Sequence, residues 1–325
     1  VRVLKLNFDK NILEIKNMNS VVQHLQNFIH EQVYDNFRKR GIVIGISGGI
    51  DSAVSIKLCC DAIGKKNILA VILPEKESNP QSQEFAKKYC EKLGVKYEIE
   101  DITSILNSSE IYQTREKIVK KYFSDYDQTC KYRIIFSENF DKDGLSIPYL
   151  EVNDENNQIH KIKLSLNDYS TITAATNIKH RIRMTRLYFH AEKNNFLVCG
   201  TTNRAEFQQG YFVKYGDGGV DIEPLANLYK TQIYQLGKHL DIPNEIIERK
   251  ASPDTWSFDV SDEEFFYSLP YEIVDLILFA KEKSVTLNDI CSTLNLKEEK
   301  VKRMLNSLER KWQASKTSRV FPPSW

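Results

Sequence analysis

The fold of this chain is decided by one stretch, Gly41-Ile-Val-Ile-Gly-Ile-Ser-Gly-Gly-Ile-Asp-Ser52. Its first five residues form a short β-branched run bounded by glycines, which predicts a buried strand. The apolar residues from Ser52 to Ile63 recur on a roughly helical period and predict the helix that follows. The stretch therefore predicts a strand that passes into a helix through a glycine-rich turn.

The turn has the composition of a phosphate-binding loop. Because Ser47, Gly48 and Gly49 leave the backbone free of bulky side chains, consecutive N–H groups can point at an oxyanion. The helix N-terminus behind them adds about half a positive charge. Ser52 offers a second hydroxyl, and the Asp51 carboxylate is able to hold a metal ion against phosphate oxygens. The alternative is an ordinary Gly/Ser turn, but the Asp51-Ser52 pair in this strand–helix context favours phosphate binding.

The loop resembles the Ser-Gly-Gly-x-Asp-Ser loop of the ATP pyrophosphatase superfamily. It is not a Walker loop, because no Gly-Lys-Ser/Thr follows at the required spacing. The resemblance implies that the loop holds the β,γ-pyrophosphate of ATP as a leaving group, so that AMP passes to the substrate. The ATP-binding residues that it implies here are Gly45, Ser47, Gly48, Gly49 and Ser52.

Size and composition narrow the class of protein. The 325 residues can bury about three quarters of their unfolded surface, in one large domain or two smaller ones. The 45 basic and 44 acidic residues nearly balance, so the charge indicates no nucleic-acid or membrane partner. No apolar run approaches the ~18 residues of a transmembrane helix, and no signal-peptide core is present. Six cysteines without a Cys-x-x-Cys pair favour buried, reduced thiols in a cytoplasmic protein.

Predicted helices alternate with predicted strands along the core of the chain. The helices are Ser20–Lys39, Gln81–Leu93 and Ile178–Lys193, and the strands are Ile68–Leu73, Lys96–Ile99 and Phe196–Cys199. This alternation predicts an α/β fold, a Rossmann-like parallel sheet with helices on both faces. A ligand crevice is expected at the carboxyl ends of the strands, where the Ser47 loop and the segment after Cys199 both begin.

One segment, Asn107 to Asp168, breaks the alternation. It contains three strand-like runs, Lys131–Phe136, Tyr149–Asn153 and His160–Leu164, the last two separated by a polar turn. These runs predict a β-hairpin insertion into the α/β core.

The tail from Thr286 to Arg310 predicts two short helices. Acidic residues interrupt its basic face, which favours a solvated helical tail over a DNA-binding helix-turn-helix. We expect a domain of the ATP pyrophosphatase type over residues 1–260, with the insertion at about 107–168. A helical extension over 261–325 is expected to pack on the same domain.

A second group of polar, glycine-rich segments follows the last predicted strand. It comprises Gly200–Glu206, Gly210–Asp221, Lys230 and Ala251–Trp256. Any one of these could be a surface loop, but their density within about fifty-five residues indicates a binding surface.

With these segments, the chain resembles the ammonia-dependent NAD synthetases. The resemblance runs through Gly45–Leu93 and Asn177–Trp256 and, more faintly, the C-terminal tail. Its most specific parts are Asn177–Met184, Gly200–Glu206 and Tyr215–Gly219. It implies an adenine nucleotide α-hydrolase-like fold, a homodimer, and deamido-NAD bound near the subunit boundary.

The resemblance also implies residue roles that the side chains can support. Asp51 and Glu206 would hold Mg²⁺ on the ATP phosphates, and Lys230 would neutralise the charge that grows on the pyrophosphate. Asp51, Glu206 and Lys230 are thus the expected catalytic residues. Thr201 and Ser252 would contact ATP together with Lys230. The substrate-binding residues would be Arg181, Tyr188, Lys214, Asp217 and Asp221.

The implied reaction is the ATP-dependent amidation of deamido-NAD through an acyl-adenylate, which gives NAD, AMP and pyrophosphate. A glutaminase normally needs a cysteine or N-terminal nucleophile on its own domain. Only 40 residues precede Gly41 and none is cysteine, so we expect free ammonia, or ammonia from a separate glutaminase.

Three departures from the family leave the carboxylate substrate open. The insertion is longer than usual, His180 stands where alanine is typical, and Ser252 replaces a typical threonine. The rival hypothesis is a related amide ligase that adenylates another carboxylate, such as a sugar uronic acid for polysaccharide synthesis. Retention of Arg181, Lys214 and Asp217 favours deamido-NAD.

Two further classes share the phosphate loop and are disfavoured. A tRNA-modifying sulfurtransferase would need paired cysteines and a basic RNA-binding face, and the chain shows neither. A non-enzymatic regulator would not need to keep both metal carboxylates and Lys230.

Overall fold

The computed structural model describes residues 7–127, 129–137, 147–253 and 255–320. The strands are β1 (Ile42–Gly45), β2 (Ile68–Ile72), β3 (Lys96–Ile99), β4 (Lys131–Ser137), β5 (Ile147–Asn153), β6 (Ile159–Lys163) and β7 (Leu197–Cys199). The α-helices are α1 (Met18–Glu31), α2 (Ile50–Ile63), α3 (Pro80–Leu93), α4 (Thr103–Ser108), α5 (Ile111–Tyr122), α6 (Leu166–Asn194), α7 (Arg204–Gln209), α8 (Lys230–His239), α9 (Asn244–Ile247), α10 (Tyr271–Glu282), α11 (Leu287–Leu294) and α12 (Glu298–Ala314).

The central sheet has four parallel strands in the order β3-β2-β1-β7. Alternate residues of β1 belong to different cores: Ile42 and Ile44 pack with α1, α2 and α8, while Val43 packs with α5 and α6. Helices therefore cover both faces, which explains why β1, β2 and β7 are continuous apolar runs, whereas the edge strand β3 is more exposed. The predicted α/β class and its parallel sheet are confirmed.

Most predicted elements differ from the observed ones by one or two residues, with two exceptions. Helix α1 ends at Glu31 and continues as a π-helical turn over Gln32–Asn36, short of the predicted Lys39. Helix α6 begins at Leu166, twelve residues before the predicted Ile178. Its start is fixed by Ser165, whose side chain accepts a hydrogen bond from the backbone N–H of Asp168. The insertion accordingly ends before Asp168.

The predicted hairpin is present as a three-stranded antiparallel sheet, β4-β5-β6. Sequence analysis missed two helices here: α4, which ends at the start of the insertion, and α5, which lies within it. The sheet is part of a hydrophobic cluster in which Tyr132, Leu150 and Val152 pack against Ile172 of α6 and Trp256. Because Ile172 and Trp256 lie outside the insertion, the sheet is packed onto the core.

The two helices predicted in the tail are observed as α11 and α12, with α10 before them. Val301, Met304 and Leu308 of α12 are buried in a cluster that also holds Ala205 and Tyr229. One face of the tail is therefore packed on α7 and α8, and the charged face is solvated. The division into domains at residue 260 stays a prediction.

The described part of the chain contains no helix that is both long and apolar enough to cross a bilayer. All six cysteines are free thiols; Cys60 and Cys291 are only half-buried, and the other four are buried.

A buried ion network ties the insertion to the core. The Lys179 ammonium, on α6, donates to the carboxylates of Glu75 (2.7 Å) and Glu77 (2.6 Å) and to the carbonyl of Thr255 (3.0 Å). Arg115 of α5 donates to the same Glu77 carboxylate (2.7 Å). Burial and the charge of Arg115 lower the pKa of Lys179 to about 8. The network joins α5, α6, the segment after β2 and the Thr255 segment at one point.

Removal of the Lys179 charge is expected to destabilise the fold strongly. Lys179→Met keeps most of the side-chain volume but leaves two acidic groups short of a partner, so the free energy of unfolding should fall by about 3–5 kcal/mol. Urea denaturation measures the change. The matched control is Lys193→Met, at an exposed position of the same helix. Equal stability of the two variants would contradict the network's role.

Candidate active site

A cavity of about 780 Å³ opens at the carboxyl edge of the parallel sheet. The ends of β1, β2 and β7 form its floor, since Ile46, Leu73 and Gly200 line it. The walls come from α6, the loop over residues 210–220, residues 249–253 with 255 and 256, and α12. A volume of this order suits a nucleotide-sized ligand, and the position is the expected crevice of a parallel α/β sheet.

The phosphate-binding loop has the geometry that the sequence predicts. Gly48 has φ +76°, and a Cβ atom there would lie 2.4 Å from the carbonyl oxygen of Ser82, so only glycine fits. The Ser47 hydroxyl accepts from the Gly49 N–H (3.3 Å), and Ser52 donates to the Gly49 carbonyl (2.9 Å). Gly49 caps α2 without a side chain, which leaves the N-terminal N–H groups of a 14-residue helix facing the cavity.

Opposite charges converge beside this loop. Lys230, the first residue of α8, is 1% exposed, and its ammonium donates to the Asp51 carboxylate and lies 3.9 Å from that of Glu206. Asn203 donates to the other Asp51 oxygen (3.3 Å). Although burial alone would lower the pKa of Lys230, the carboxylates of Asp51, Glu206 and Asp262 raise it. Lys230 therefore remains a cation.

Two carboxylates, those of Asp51 and Glu206, flank the single Lys230 ammonium, and the pKa of Glu206 is shifted. Burial and the nearby Asp51 charge raise its pKa well above the ordinary value, despite the Lys230 cation. A capping box fixes its position: Glu206 accepts from the Asn203 N–H (3.1 Å), and the Asn203 side chain accepts from the Glu206 N–H (3.0 Å).

The Asp51 and Glu206 oxygens fit a hard divalent cation. Both groups flank the same ammonium and line the cavity, and carboxylate oxygens with phosphate oxygens and water suit Mg²⁺. Burial is the main cause of the raised pKa of Glu206 and the Asp51 charge adds to it, so a cation bound between the two groups would favour the charged carboxylate. A third carboxylate, Asp262, is held by the hydroxyls of Tyr211 (2.9 Å) and Tyr271 (3.1 Å).

One face of α6 forms a long wall of the cavity. Tyr169, Thr173, Thr176, His180 and Arg183 all line it, at alternating spacings of four and three residues. The Arg183 guanidinium donates to the carbonyl of residue 73 (3.1 Å), just after β2. The part of α6 before Arg183 is about 25 Å long, at 1.5 Å per residue.

The structure brings nine of the predicted site residues to the cavity. These are Gly45, Ser47, Gly49, Asp51, Thr201, Glu206, Asp217, Lys230 and Ser252. Gly48 and Ser52 do not line the cavity; they belong to the phosphate loop, where the Ser52 hydroxyl donates to the Gly49 carbonyl. Arg181, Tyr188, Lys214 and Asp221 lie outside the lining, and their substrate-binding role stays a prediction.

The four residues outside the lining have partners in the protein. The Tyr188 hydroxyl donates to Asp221 (2.9 Å), which also accepts from the N–H of Val198 in β7 (2.8 Å). Arg181 donates to the carbonyl of Lys214 (3.3 Å), and the Lys214 ammonium donates to backbone carbonyls near the end of the described chain. The contacts of Asp221 with Tyr188 and Val198 position the start of the 221–230 segment. The contacts of Lys214 hold the 210–220 loop against Arg181 and the C-terminal turn.

Sequence analysis missed several cationic residues of the cavity. Arg249 donates to the Ser82 hydroxyl (2.7 Å) and lies close to the Gly48 carbonyl (3.5 Å), beside the phosphate loop. Arg310 and Lys311 reach the cavity from α12. No local sequence pattern predicts that these residues reach the cavity. The early start of α6 is different, because the Ser165-x-x-Asp168 capping signal could have revealed it.

Comparison with known proteins finds one matching family and several related sequences. The profile of the NAD synthase family matches residues 21–135 and 125–316. The NH(3)-dependent NAD(+) synthetase of Rhizobium meliloti (strain 1021) is 38% identical over 287 residues, which are 88% of this chain and 86% of that protein. The protein of the same name from Thermotoga maritima is 37% identical over 295 residues, 89% of this chain and 95% of that protein.

A solved structure shares the architecture. The NH3-dependent NAD synthetase from Campylobacter jejuni, in complex with the nitrate ion, superposes with a TM-score of 0.64 at 26% identity. The match covers 96% of this chain and 100% of that one.

Substitution of Gly48 is expected to abolish nucleotide binding. In Gly48→Ala the new methyl group meets the Ser82 carbonyl, so the loop must shift and its N–H groups turn away from the phosphates. We expect ATP affinity, measured by calorimetry, to fall by at least about 100-fold, the scale of two or more lost charge-assisted hydrogen bonds. The control is Gly64→Ala, at φ +80° with open space around its Cβ. Equal loss of ATP affinity in both variants would show that strain in α2, and not the clash, is responsible.

Proposed function

The chain belongs to the NAD synthase family, and on this premise we propose that it catalyses the ATP-dependent amidation of deamido-NAD by ammonia. The products are NAD, AMP and pyrophosphate. The observation that carries the proposal is the convergence of Asp51, Glu206 and Lys230 at the N-terminus of α2, beside the Ser47–Ser52 loop. This arrangement can hold a pyrophosphate leaving group, and the matched relatives have the proposed activity in their names.

In the first half-reaction, the nicotinate carboxylate attacks the α-phosphorus of ATP. The bond from that phosphorus to the bridging oxygen breaks, and pyrophosphate leaves with the electron pair. The loop N–H groups bind the leaving phosphates, and Lys230 neutralises the charge that develops on them. Because Lys230 is buried and paired, its ammonium is already oriented before the reaction begins.

Asp51 and Glu206 are the proposed Mg²⁺ ligands. When bound, Mg²⁺ supplies charge neutralisation on the ATP phosphates. Asn203 supports both ligands, since it donates to Asp51 and forms the capping box with Glu206. The Ser252 and Thr201 hydroxyls line the same cavity and are proposed ATP contacts.

The second half-reaction is attack of ammonia on the acyl-adenylate. The carbonyl carbon gains a C–N bond and loses its bond to the phosphate oxygen, and AMP leaves. The enclosing walls from α6, residues 210–220 and α12 favour ammonia over bulk water as the nucleophile. The rival hypothesis of a uronic-acid ligase gains no support from the relatives from Rhizobium meliloti and Thermotoga maritima, which are both NH(3)-dependent NAD(+) synthetases.

Assembly and cellular setting belong to the same proposal. We infer a homodimer, as the resemblance to the ammonia-dependent NAD synthetases implies. Six free thiols support a reducing, cytoplasmic setting. The ammonia source, free or from a separate glutaminase, stays a prediction.

Activity is tested by incubation of the protein with Mg²⁺, ATP and ammonium, with and without deamido-NAD. NAD and AMP are expected in equal amounts, and only when deamido-NAD is present. AMP formation with a uronic acid but not with deamido-NAD would favour the rival ligase.

Removal of either proposed metal carboxylate is expected to lower activity by at least about 100-fold, because the bridge to the ATP phosphates is lost. Asp51→Asn and Glu206→Gln are the variants, and glutamine keeps the capping hydrogen bond at position 206. Asp61→Asn, an exposed site at the other end of α2, is the control. Steady-state AMP formation against Mg²⁺ concentration is the measurement. Activity of both variants near that of the control would rule out the metal assignment.

A further inference from the structure

A second cluster of side chains that can bind a metal ion lies outside the cavity, where β3 meets α6. Glu98 belongs to β3, Glu100 directly follows that strand, and His190 lies in the last third of α6. One ligand atom from each residue lies within 4.8 Å of the other two. None of these three residues lines the cavity of the proposed reaction. The cluster is therefore separate from the chemistry proposed above.

Strand geometry explains why the two carboxylates meet the same helix. Side chains two residues apart lie on one face of a strand, and Glu100 extends the β3 ladder because its N–H donates to the Ile72 carbonyl (2.9 Å). In the described sheet β3 is an edge strand, so Glu98 and Glu100 stay 35% and 24% exposed. The His190 side chain behind them is only 2% exposed. An ion from solvent can thus reach a buried imidazole through two carboxylates.

One ring nitrogen of His190 is already committed. His190 Nε2 lies 2.6 Å from Glu100 Oε1, and the Arg186 guanidinium donates to both oxygens of that carboxylate (2.7 and 3.2 Å). The hydrogen bond from Arg186, with a smaller effect from His190, holds the pKa of Glu100 below its ordinary value. Glu100 is therefore an anion, which favours the His190 tautomer with a proton on Nε2 and a lone pair on Nδ1.

The other ring nitrogen has the geometry of a metal ligand. Among the described residues, His190 Nδ1 is buried and makes no hydrogen bond. Glu98 Oε2 lies 3.7 Å from it, which is too long for a hydrogen bond. Two ligand atoms at about 2.1 Å from a tetrahedral Zn²⁺ lie about 3.4 Å apart, so a shift of a few tenths of an ångström would admit the ion. A bound ion would also satisfy a buried acceptor that otherwise lacks a donor.

We propose that His190 Nδ1 and the Glu98 carboxylate bind a divalent transition-metal ion, for which Zn²⁺ is the best fit. Glu100 is the positioning residue, since a metal-bound imidazole usually donates its other N–H to a carboxylate. An imidazole ligand suits zinc better than magnesium, so this site differs in chemistry from the oxygen-only pair Asp51 and Glu206. Water would complete the coordination. The inference does not depend on the proposed function.

The charges around the cluster leave Glu98 available. Arg186 neutralises Glu100, whereas the cation beside Glu98 is the Lys96 ammonium, 3.5 Å away and 74% exposed. An exposed ion pair of this kind contributes little, so a metal ion can replace Lys96. The ion would then join the edge strand β3 to α6, the helix that forms one wall of the cavity. Zinc is therefore expected to stabilise the fold.

The first test measures Zn²⁺ binding by calorimetry, with Mg²⁺ in large excess to occupy Asp51 and Glu206. We expect one Zn²⁺ per chain whose affinity falls by at least about 100-fold in Glu98→Gln, which removes a ligand. Glu100→Gln removes only the positioning carboxylate and should lower the affinity by about 10–100-fold. Glu192→Gln, at an exposed position of the same helix, is the matched control and should keep the native affinity.

Two further readouts identify the ligands and the effect on stability. Co²⁺ bound in place of Zn²⁺ should give a visible spectrum without a thiolate charge-transfer band, which excludes binding at the half-buried thiols of Cys60 and Cys291. Saturating Zn²⁺ should raise the melting temperature of the native protein by at least about 2 °C, but not that of Glu98→Gln. Without zinc, Glu98→Gln should melt like the native protein and keep its amidation rate within about twofold.

Three outcomes would overturn the inference. Equal zinc affinity in Glu98→Gln and Glu192→Gln would show that the ion binds elsewhere. A thiolate band in the Co²⁺ spectrum would assign the ion to the cysteines. Loss of the native fold in Glu98→Gln without zinc would make the carboxylate a structural element, unless Glu98→Ala folds and also loses zinc binding. Absence of amidation in the native protein would overturn the proposed function and leave this site as it stands.

Discussion

The buried Lys230 ammonium is the constraint on which the site depends. A buried cation is stable only when it is paired, and here its partners come from two other elements: Asp51 from the start of α2 and Glu206 from α7. Because Lys230 is the first residue of α8, its pairing fixes the N-termini of α2 and α8 against each other. The Asn203 capping box then joins α7 to the same point.

The same cluster explains why the centre suits phosphate and metal together. Burial chiefly raises the pKa values of Glu206 and Asp262, and the Asp51 charge adds to this effect while the Lys230 cation opposes it. The Asp51 and Glu206 carboxylates beside the phosphate loop are the groups that would hold a divalent cation together with an anionic ligand. The loop N–H groups contribute partial positive charge from the other side. The site is thus organised before its ligands arrive, which is the usual source of electrostatic catalysis.

The walls depend on a second buried network, around Lys179. It holds the carbonyl of Thr255, and so the segment that carries Ser252, at a fixed distance from α6. The insertion takes part through Arg115, whose guanidinium also lies over the rings of Tyr132 and Trp256. Among the described residues of the insertion, Arg115 supports the cavity wall and Phe136 reaches the lining itself.

Local sequence determined the strand, the phosphate loop and the start of α2, because the residues that specify them are adjacent. β-branched runs, positive-φ glycines and capping residues act within a few positions, so the parallel sheet and its carboxyl-edge crevice were predictable. The family motifs also marked the residues whose carboxylates and ammonium meet. Tertiary structure alone decided their contacts, since Asp51 and Lys230 are 179 residues apart. It also decided that Arg249, Arg310 and Lys311 enter the cavity, and that Arg181, Tyr188, Lys214 and Asp221 lie outside its lining. The physical reason is that a residue's neighbours across the cavity depend on how helices pack and where loops return, which no short-range pattern records.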